Sequence, residues 1–200
     1  MAQTPRTQKI VKPSADTLTA AALAATKKKG PPPLHLWNPP FCGDIDMEIR
    51  ADGTWFYLGT PIGRAPLVRL FASIMRREGD GYFLVTPVEK VGIRVVDAPF
   101  IAVDAEAEGK GAAQNLTFTT NVGDSIVAGP EHPIRCPLDP VDGTPRPYVL
   151  IRPGLEALID RKTFYRLSEI TTPALHEGSP WLGLWSGGQF FPLILAEDLR

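Results

Sequence analysis

"DMEIRADGTWFYLGTPIGRAPLVRLFASIMRREGDGYFLV", Asp46–Val85, changes its hydrophobic period twice, and that change decides the fold. Met47, Ile49 and Ala51 alternate with Glu48 and Arg50, Asp52-Gly53 has the signature of a tight turn, and Thr54 to Leu58 returns, so the stretch predicts a strand pair. From Pro66 the period lengthens. Leu67, Val68, Leu70, Phe71, Ile74 and Met75 fall on one stripe, with Arg69, Arg76 and Arg77 off it. Pro66 suits a first helical turn and Gly79 the position beyond a last one, so the spacing predicts a helix over 66–78 packed on a sheet. Gly79-Asp80-Gly81 then turns the chain into a strand over Tyr82–Thr86. Strands and a helix joined by short connections make an α+β unit.

The same vocabulary continues outward. Val91, Ile93 and Val95 alternate with Lys90, Gly92 and Arg94, and "FIAVDAE" alternates again. Residues 106–113, rich in Ala, Gly and charge, read as a domain junction or a hairpin tip. "NLTFTTNVGDSIVAG" predicts a hairpin turning at Asn121–Asp124, "PRPYVLIR" a strand, and "WLGLWSGGQFFPLIL" a hairpin around Gly187-Gly188. "PGLEALIDRKTFYRLSEI" has two apolar faces out of phase, which predicts two short helices with a slip near Asp160. "YLGTPIGRAPLVRLFASIM" and "YVLIRPGLEALIDRKTFYRL" share the order tyrosine strand, arginine, proline, leucine-rich helix. That suggests a duplication, with coincidental likeness of two α+β units as the alternative. The organisation expected is a basic arm over 1–33, an α+β domain over 34–107 and a second over 108–200. Both domains are small and mostly antiparallel, each with a packed helix.

Composition bounds the function. With 44% hydrophobic and 22% charged residues in 200, the chain has an ordinary globular composition and can bury a real core. Its 21 prolines and 18 glycines favour many short strands over long helices. Cys42 and Cys136 have no CxxC partner, so a disulfide framework or zinc knuckle is not expected and a reducing, cytoplasmic setting is. The net charge of −1 hides an asymmetry: Arg6, Lys9, Lys12, Lys27, Lys28 and Lys29 against Asp16 give residues 1–33 a charge of +5, leaving −6 on the rest. An acidic body repels nucleic acid, so no polymer of that kind is expected as a partner. No apolar run approaches the ~18 residues of a membrane span, and no membrane association is expected. Within the arm, Ser14 as N-cap, Asp16 in the first turn, Lys27–Lys29 at the far end, Gly30 and then Pro31–Pro33 predict one short helix.

Catalytic chemistry is hard to find. "GLWSGG" around Ser186 is not a G-x-S-x-G elbow, and His35, His132 and His176 form no H-x-x-x-H pair. "EGKGAA" and "GTPIGR" lack phosphate-loop spacing. Asp44, Asp46, Glu89 and Asp97 are too scattered to argue a carboxylate pair. No catalytic residue, metal or cofactor is assigned.

One repeated motif remains. "YLGTPIGR" and "FLVTPVEK" place Thr60 and Thr86, Pro61 and Pro87, and Arg64 and Lys90 in matching positions after a strand. Two such exits from neighbouring strands would bring two cations over one edge, facing an anionic ligand or internal carboxylates such as Glu89 and Asp97. With Arg152 as the second half's analogue of Arg64, the candidate anion-facing set is Thr60, Arg64, Arg69, Thr86, Lys90 and Arg152.

The run from Ile49 to Val103 resembles the core of the bacterial family called domain of unknown function 1285 (DUF1285), and Tyr148–Leu167 is similar to its C-terminal half. The resemblance covers about Leu34 to Phe191 and leaves the arm outside. It implies a two-domain α+β protein with a duplicated core and a C-terminal domain loosely like pleckstrin-homology folds. It also implies a ligand cleft at the domain interface, for a nucleotide-type molecule, and a role in signal transduction. The leading expectation is a non-catalytic regulatory protein that binds a nucleotide-type or other phosphorylated small molecule. The alternatives are a protein interaction adaptor, with Trp181, Trp185 and Phe190 as its contact, and an enzyme whose chemistry assembles only in the fold.

Overall fold

The structure, a computed structural model, describes residues 14–26 and 30–198. Lys27–Lys29 and the cations Arg6, Lys9 and Lys12 of the expected arm lie outside the described residues. Helix α1, Ala15–Ala25, starts where Ser14 caps it: Thr17 N–H donates to Ser14 Oγ (3.3 Å) and Ser14 N–H to Thr17 Oγ1 (3.0 Å). Leu18 and Ala22, four apart, bury one face of α1 completely. The helix is therefore docked.

Strands β1 (Phe41–Ile49), β2 (Trp55–Tyr57) and β3 (Thr60–Pro61) form a first antiparallel meander, with Met47 opposite Tyr57 as the alternation predicts. Helix α2, Ala65–Ser73, crosses to a second meander of β4 (Met75–Glu78), β5 (Gly81–Val85) and β6 (Lys90–Val95). The sheet order is β3-β2-β1-β6-β5-β4, and the two meanders meet through a parallel β1–β6 pair. The helix expected to run to Glu78 stops at Ser73. Ile74 and Met75 are buried, so their spacing fits helix and strand alike. The two-residue Gly79-Asp80 turn, with Gly79 at φ +56°, folds Glu78 onto Gly81 and takes Met75–Glu78 into the sheet.

The second unit repeats this topology. Strands β7 (Phe100–Glu108), β8 (Asn115–Thr120) and β9 (Ser125–Val127) make one meander; β10 (Ile134–Arg135), β11 (Tyr148–Arg152) and β12 (Leu155–Ile159) make the other. Their order is β10-β11-β12-β7-β8-β9, with β12 parallel to β7. The duplication is thus one of sheets, in a register other than the sequence match suggests: β11 holds the place of β5, not of the strand containing Tyr57. Leu155–Ile159 is a strand because Gly154, at φ +72°, turns it back onto Tyr148–Arg152. Only the second of the two expected helices forms, as α3 (Arg161–Ser168), capped by Asp160 where the slip was read. Residues 106–113 are the β7–β8 hairpin tip, and since every strand partner of β7 is in the second sheet, the first unit ends before Phe100 rather than at 107.

Strands β13 (Thr172–His176), β14 (Ser179–Ser186) and β15 (Gln189–Leu195) form a third, antiparallel sheet. Ser186 pins it to the second unit: its buried hydroxyl donates to the Ala128 carbonyl (2.7 Å) and accepts from Leu116 N–H (2.8 Å). One core runs through the units, from Trp55, Phe71 and Leu84 to Phe100, Phe118, Ile151 and Leu184. Each such side chain, fully buried, is worth about 1.5–3 kcal/mol.

Candidate functional site

The two Thr-Pro exits are structurally unlike. Thr60 opens β3 after a two-residue turn, Leu58-Gly59, and is exposed at the sheet edge. Thr86 is fully buried, and its Oγ1 accepts from Glu89 N–H (3.2 Å) and lies 3.3 Å from the Glu89 carbonyl, closing the loop between β5 and β6. In the sheet order β3 and β5 stand four strands apart, ~19 Å at the ordinary spacing of ~4.8 Å. The motif repeats without building one site.

Two of the candidate cations are engaged internally. Lys90 Nζ donates to Glu78 (2.7 Å) and sits 5.1 Å from the centre of the Phe83 ring; Glu78 also takes Arg76. The hydrogen bond from Lys90 holds the Glu78 carboxyl below the usual glutamate range. Arg152 reaches from the second unit to the first. Its Nη2 meets both Asp124 oxygens (2.7 and 2.6 Å), its Nη1 donates to the Ala72 carbonyl at the end of α2 (2.8 Å), and its guanidinium lies 5.3 Å from the Phe100 ring centre. Arg152 is a strut between the units. A second tie lies at their junction, where Arg146 bonds Asp97 (2.5 Å) and Asp139 (2.9 Å) and the Tyr148 hydroxyl donates to Asp97 (2.8 Å).

Arg64 and Arg69 are different. Neither has a carboxylate of the described residues within 4.0 Å, and both are exposed, Arg64 at the N-cap of α2 and Arg69 midway along it. They border a groove of about 730 Å³ between α1 and α2, whose walls are Thr19 and Leu23 on one side and Pro66, Leu67 and Leu70 on the other. An adjoining cavity of about 320 Å³ shares Arg64 and Leu67 and adds Asp16, Tyr57 and Thr60. A smaller one, about 190 Å³, places Arg69 beside Asn121 of the second unit. The Gly63–Ala65 segment touches all three, because the chain leaves β3 there and enters α2. Leucine 67 and Arg64 owe their side to the helix period, and α1 is held as the opposite wall by Leu18, Ala22 and the Ala15 N–H bond to the Tyr57 hydroxyl (3.3 Å).

Of the expected set, Arg64 and Arg69 border the same groove, Thr60 shares only the adjoining cavity with Arg64, and Thr86, Lys90 and Arg152 stand apart from them. Thr19, Leu23, Pro66, Leu67 and Leu70 were not assigned to a site by the sequence reading, which took the α1 segment as a short helix in the arm and Leu67 and Leu70 as the sheet-facing stripe of α2. The i, i+4 pair Leu18 and Ala22 behind a Ser14 cap was the available signal of a docked helix. His35 is exposed, His132 Nδ1 bonds the Leu150 carbonyl (2.9 Å), and His176 packs among aromatic rings. Among the described residues no cluster of three or more His, Cys, Asp or Glu could hold a metal, and no helix is long and apolar enough to cross a membrane.

Two duplicated units of mostly antiparallel sheet with few helices, and an open groove beside the first, define an α+β protein. Family comparison gives the particular kind. A model described as the N-terminal domain of a domain of unknown function (DUF1285) matches residues 32–98, and one described as the C-terminal domain of a protein of unknown function (DUF1285) matches residues 99–193. The chain belongs to the DUF1285 family. Among solved structures it is similar to a DUF1285 family protein from Silicibacter pomeroyi DSS-3, with 63% identity, 91% of this chain and 97% of that one covered, and a TM-score of 0.82. It is also similar to a DUF1285 family protein from Shewanella baltica OS155, with 32% identity, 63% of this chain and 92% of that one covered, and a TM-score of 0.50. No curated protein matched.

Proposed function

We propose that this protein is a non-catalytic binder of an anionic small molecule, held in the groove between α1 and α2. The observation that carries the reading is the contrast among its cations: Lys90 and Arg152 are spent on Glu78 and Asp124, whereas Arg64 and Arg69 border a concave, partly apolar groove with no carboxylate partner among the described residues. Thr60 adds a hydroxyl in the adjoining cavity, which shares Arg64 with the groove. A phosphorylated ligand, a pleckstrin-homology-like role for the second unit as scaffold, and regulatory signalling in the cytoplasm belong to the same proposal. The charge of the groove supports the phosphorylated ligand; the scaffold and signalling roles extend the family resemblance, and the cytoplasmic setting extends the cysteine usage.

The test is thermal unfolding of the full chain against a panel of nucleotides, phosphorylated metabolites and inorganic phosphate. A ligand at about 100 times its Kd adds about 2.7 kcal/mol, or a shift of roughly 5–11 °C at this chain length. The shift should vanish in the Arg64→Ala/Arg69→Ala double variant. Its survival there, or no shift with any compound, sinks the proposal. A second reading rests on the aromatic layer of the third sheet, where His176, Trp181, Trp185 and Phe190 lie 5.4–6.3 Å apart in successive pairs, each half-buried. In that reading the layer contacts a protein partner, and Trp181→Ala abolishes the interaction while Arg64→Ala does not.

A further inference from the structure

We propose that the part of the ligand beyond its anionic group is an unbranched aliphatic chain, so that the groove takes soluble single-chain amphipathic anions, such as alkyl phosphates or fatty carboxylates, rather than nucleotides. The inference rests on the groove being the binding site and adds the chemistry of its floor. Leu23, Pro66, Leu67 and Leu70 supply apolar surface, and Thr19, Gly63 and Ala65 fill the remainder between the two arginines. That lining contains no aromatic ring on which a base could stack and no amide or carboxylate to read a base edge or a ribose hydroxyl. A nucleotide would leave its polar edges facing leucine and proline, desolvated and unpaired. A methylene chain has no such requirement, and each methylene it buries is favourable.

Charge narrows the occupant. The chain's own first residues, with Arg6, Lys9 and Lys12, are repelled by Arg64 and Arg69. The net charge of −1 gives the chain no general attraction to an anionic bilayer, which favours a free molecule over a lipid held in a membrane. Arg64 caps the start of α2, whereas Arg69 stands five residues on with its stem beside Gly123 of the second unit, so Arg64 takes the head and the chain runs along the Leu67 and Leu70 side toward Leu23.

The experiment is calorimetric titration of the full chain with methyl, butyl, hexyl, octyl and decyl phosphate below their micelle concentrations, with AMP as the nucleotide bearing the same head. Affinity should tighten roughly fourfold per added methylene until the groove is filled and then level off, while AMP stays with methyl phosphate. Leu23→Asn, at a side chain 53% exposed and so no threat to folding, should flatten the chain-length dependence. Arg64→Ala should weaken every member by the same factor. If all the alkyl phosphates bind alike, or AMP binds tighter than hexyl phosphate, the aliphatic inference is overturned while the anion site stands. If none binds, the anion site falls with it. Tighter binding to vesicles of an anionic phospholipid than to decyl phosphate, unaffected by Leu23→Asn, overturns the free ligand in favour of a membrane. Capture of an acidic helical peptide in preference to the series overturns it in favour of a protein.

Discussion

Replacing Arg152 by alanine separates the strut reading from the ligand-site reading. Its guanidinium makes two hydrogen bonds to Asp124 and one to the Ala72 carbonyl, and the two charged side chains are 29% and 26% exposed. Breaking a fully buried pair costs about 3–5 kcal/mol, and an exposed one contributes about 0.2–1 kcal/mol. With roughly a quarter of each group in water, and one helix-end carbonyl left without its donor, about 2–3 kcal/mol is expected. For a chain of this length each kcal/mol lowers the midpoint by about 2–4 °C, so Arg152→Ala should unfold about 4–12 °C lower by calorimetry. Arg152→Lys keeps the charge but cannot span both partners, and should lose roughly half as much. Arg64→Ala, which breaks no ion pair among the described residues, should stay within about 0.5 kcal/mol of the parent. A fall of less than about 2 °C for Arg152→Ala would refute the argument, most clearly if the same variant lost affinity for an anion.

Other outcomes follow from local geometry. Leu58 occupies the left-handed region at φ +49°, 64% exposed, in a turn whose next residue is Gly59 at φ +72°. Leu58→Asn should raise the unfolding free energy by about 1 kcal/mol, read as a higher denaturant midpoint at an unchanged m-value, and a loss would show that Leu58 makes a contact the fold needs. Glu78 is held below its ordinary value of about 4.5 by Lys90 and Arg76, so its stabilisation is complete above that pH and is lost as pH falls through the folded value. Glu78→Gln should therefore reduce the acid dependence of the melting temperature. Burial pushes Glu89 the opposite way, so Glu89→Gln should stabilise near neutral pH and make no difference at about pH 3, where both states are protonated. Burial also pushes the Cys136 thiol up to about 11, while Cys42 is exposed. A disulfide reagent should titrate one thiol quickly in the native protein and two after denaturation, and two fast thiols would contradict the packing of Cys136.

Most elements were legible where alternation and a turn signal agreed. Met47, Ile49 and Ala51 with Asp52-Gly53, and Gly187-Gly188 between β14 and β15, each gave a strand pair the structure contains. The errors share a cause. Met75–Glu78 and Leu155–Ile159 are short segments beside a helix, and periodicity over four or five residues cannot separate strand from helix. The nearby turns could have separated them: Gly79-Asp80 and Pro153-Gly154 each leave two residues to reverse the chain, which a helix on either side cannot use. The site was only half legible. Arg64 and Arg69 could be picked as cations, but whether an arginine has a partner is a property of the fold, and only the fold shows Lys90 on Glu78 and Arg152 on Asp124.

The repeat itself explains where the cavities are. Both units fold as a meander outward and a meander inward, joined by a parallel pair at the centre. They differ in what bridges the meanders. In the first unit α2 lies between β3 and β4, while in the second only residues 128–133 connect β9 to β10. Conversely, β4 and β5 are joined by two residues, whereas residues 136–147 separate β10 from β11. The 730 Å³ groove is walled by α2, the insertion peculiar to the first unit. A 300 Å³ cavity in the second unit is walled by Thr144–Pro147, part of its own long insertion, together with α3. Paired sheet backbone has its donors and acceptors satisfied by neighbouring strands, so a duplicated sheet offers a ligand little that is free. The departures from the repeat leave helix ends, loop amides and unpaired arginines, and a substitution that altered binding should therefore fall in α2, α1 or the Gly63–Ala65 segment rather than on the shared strands.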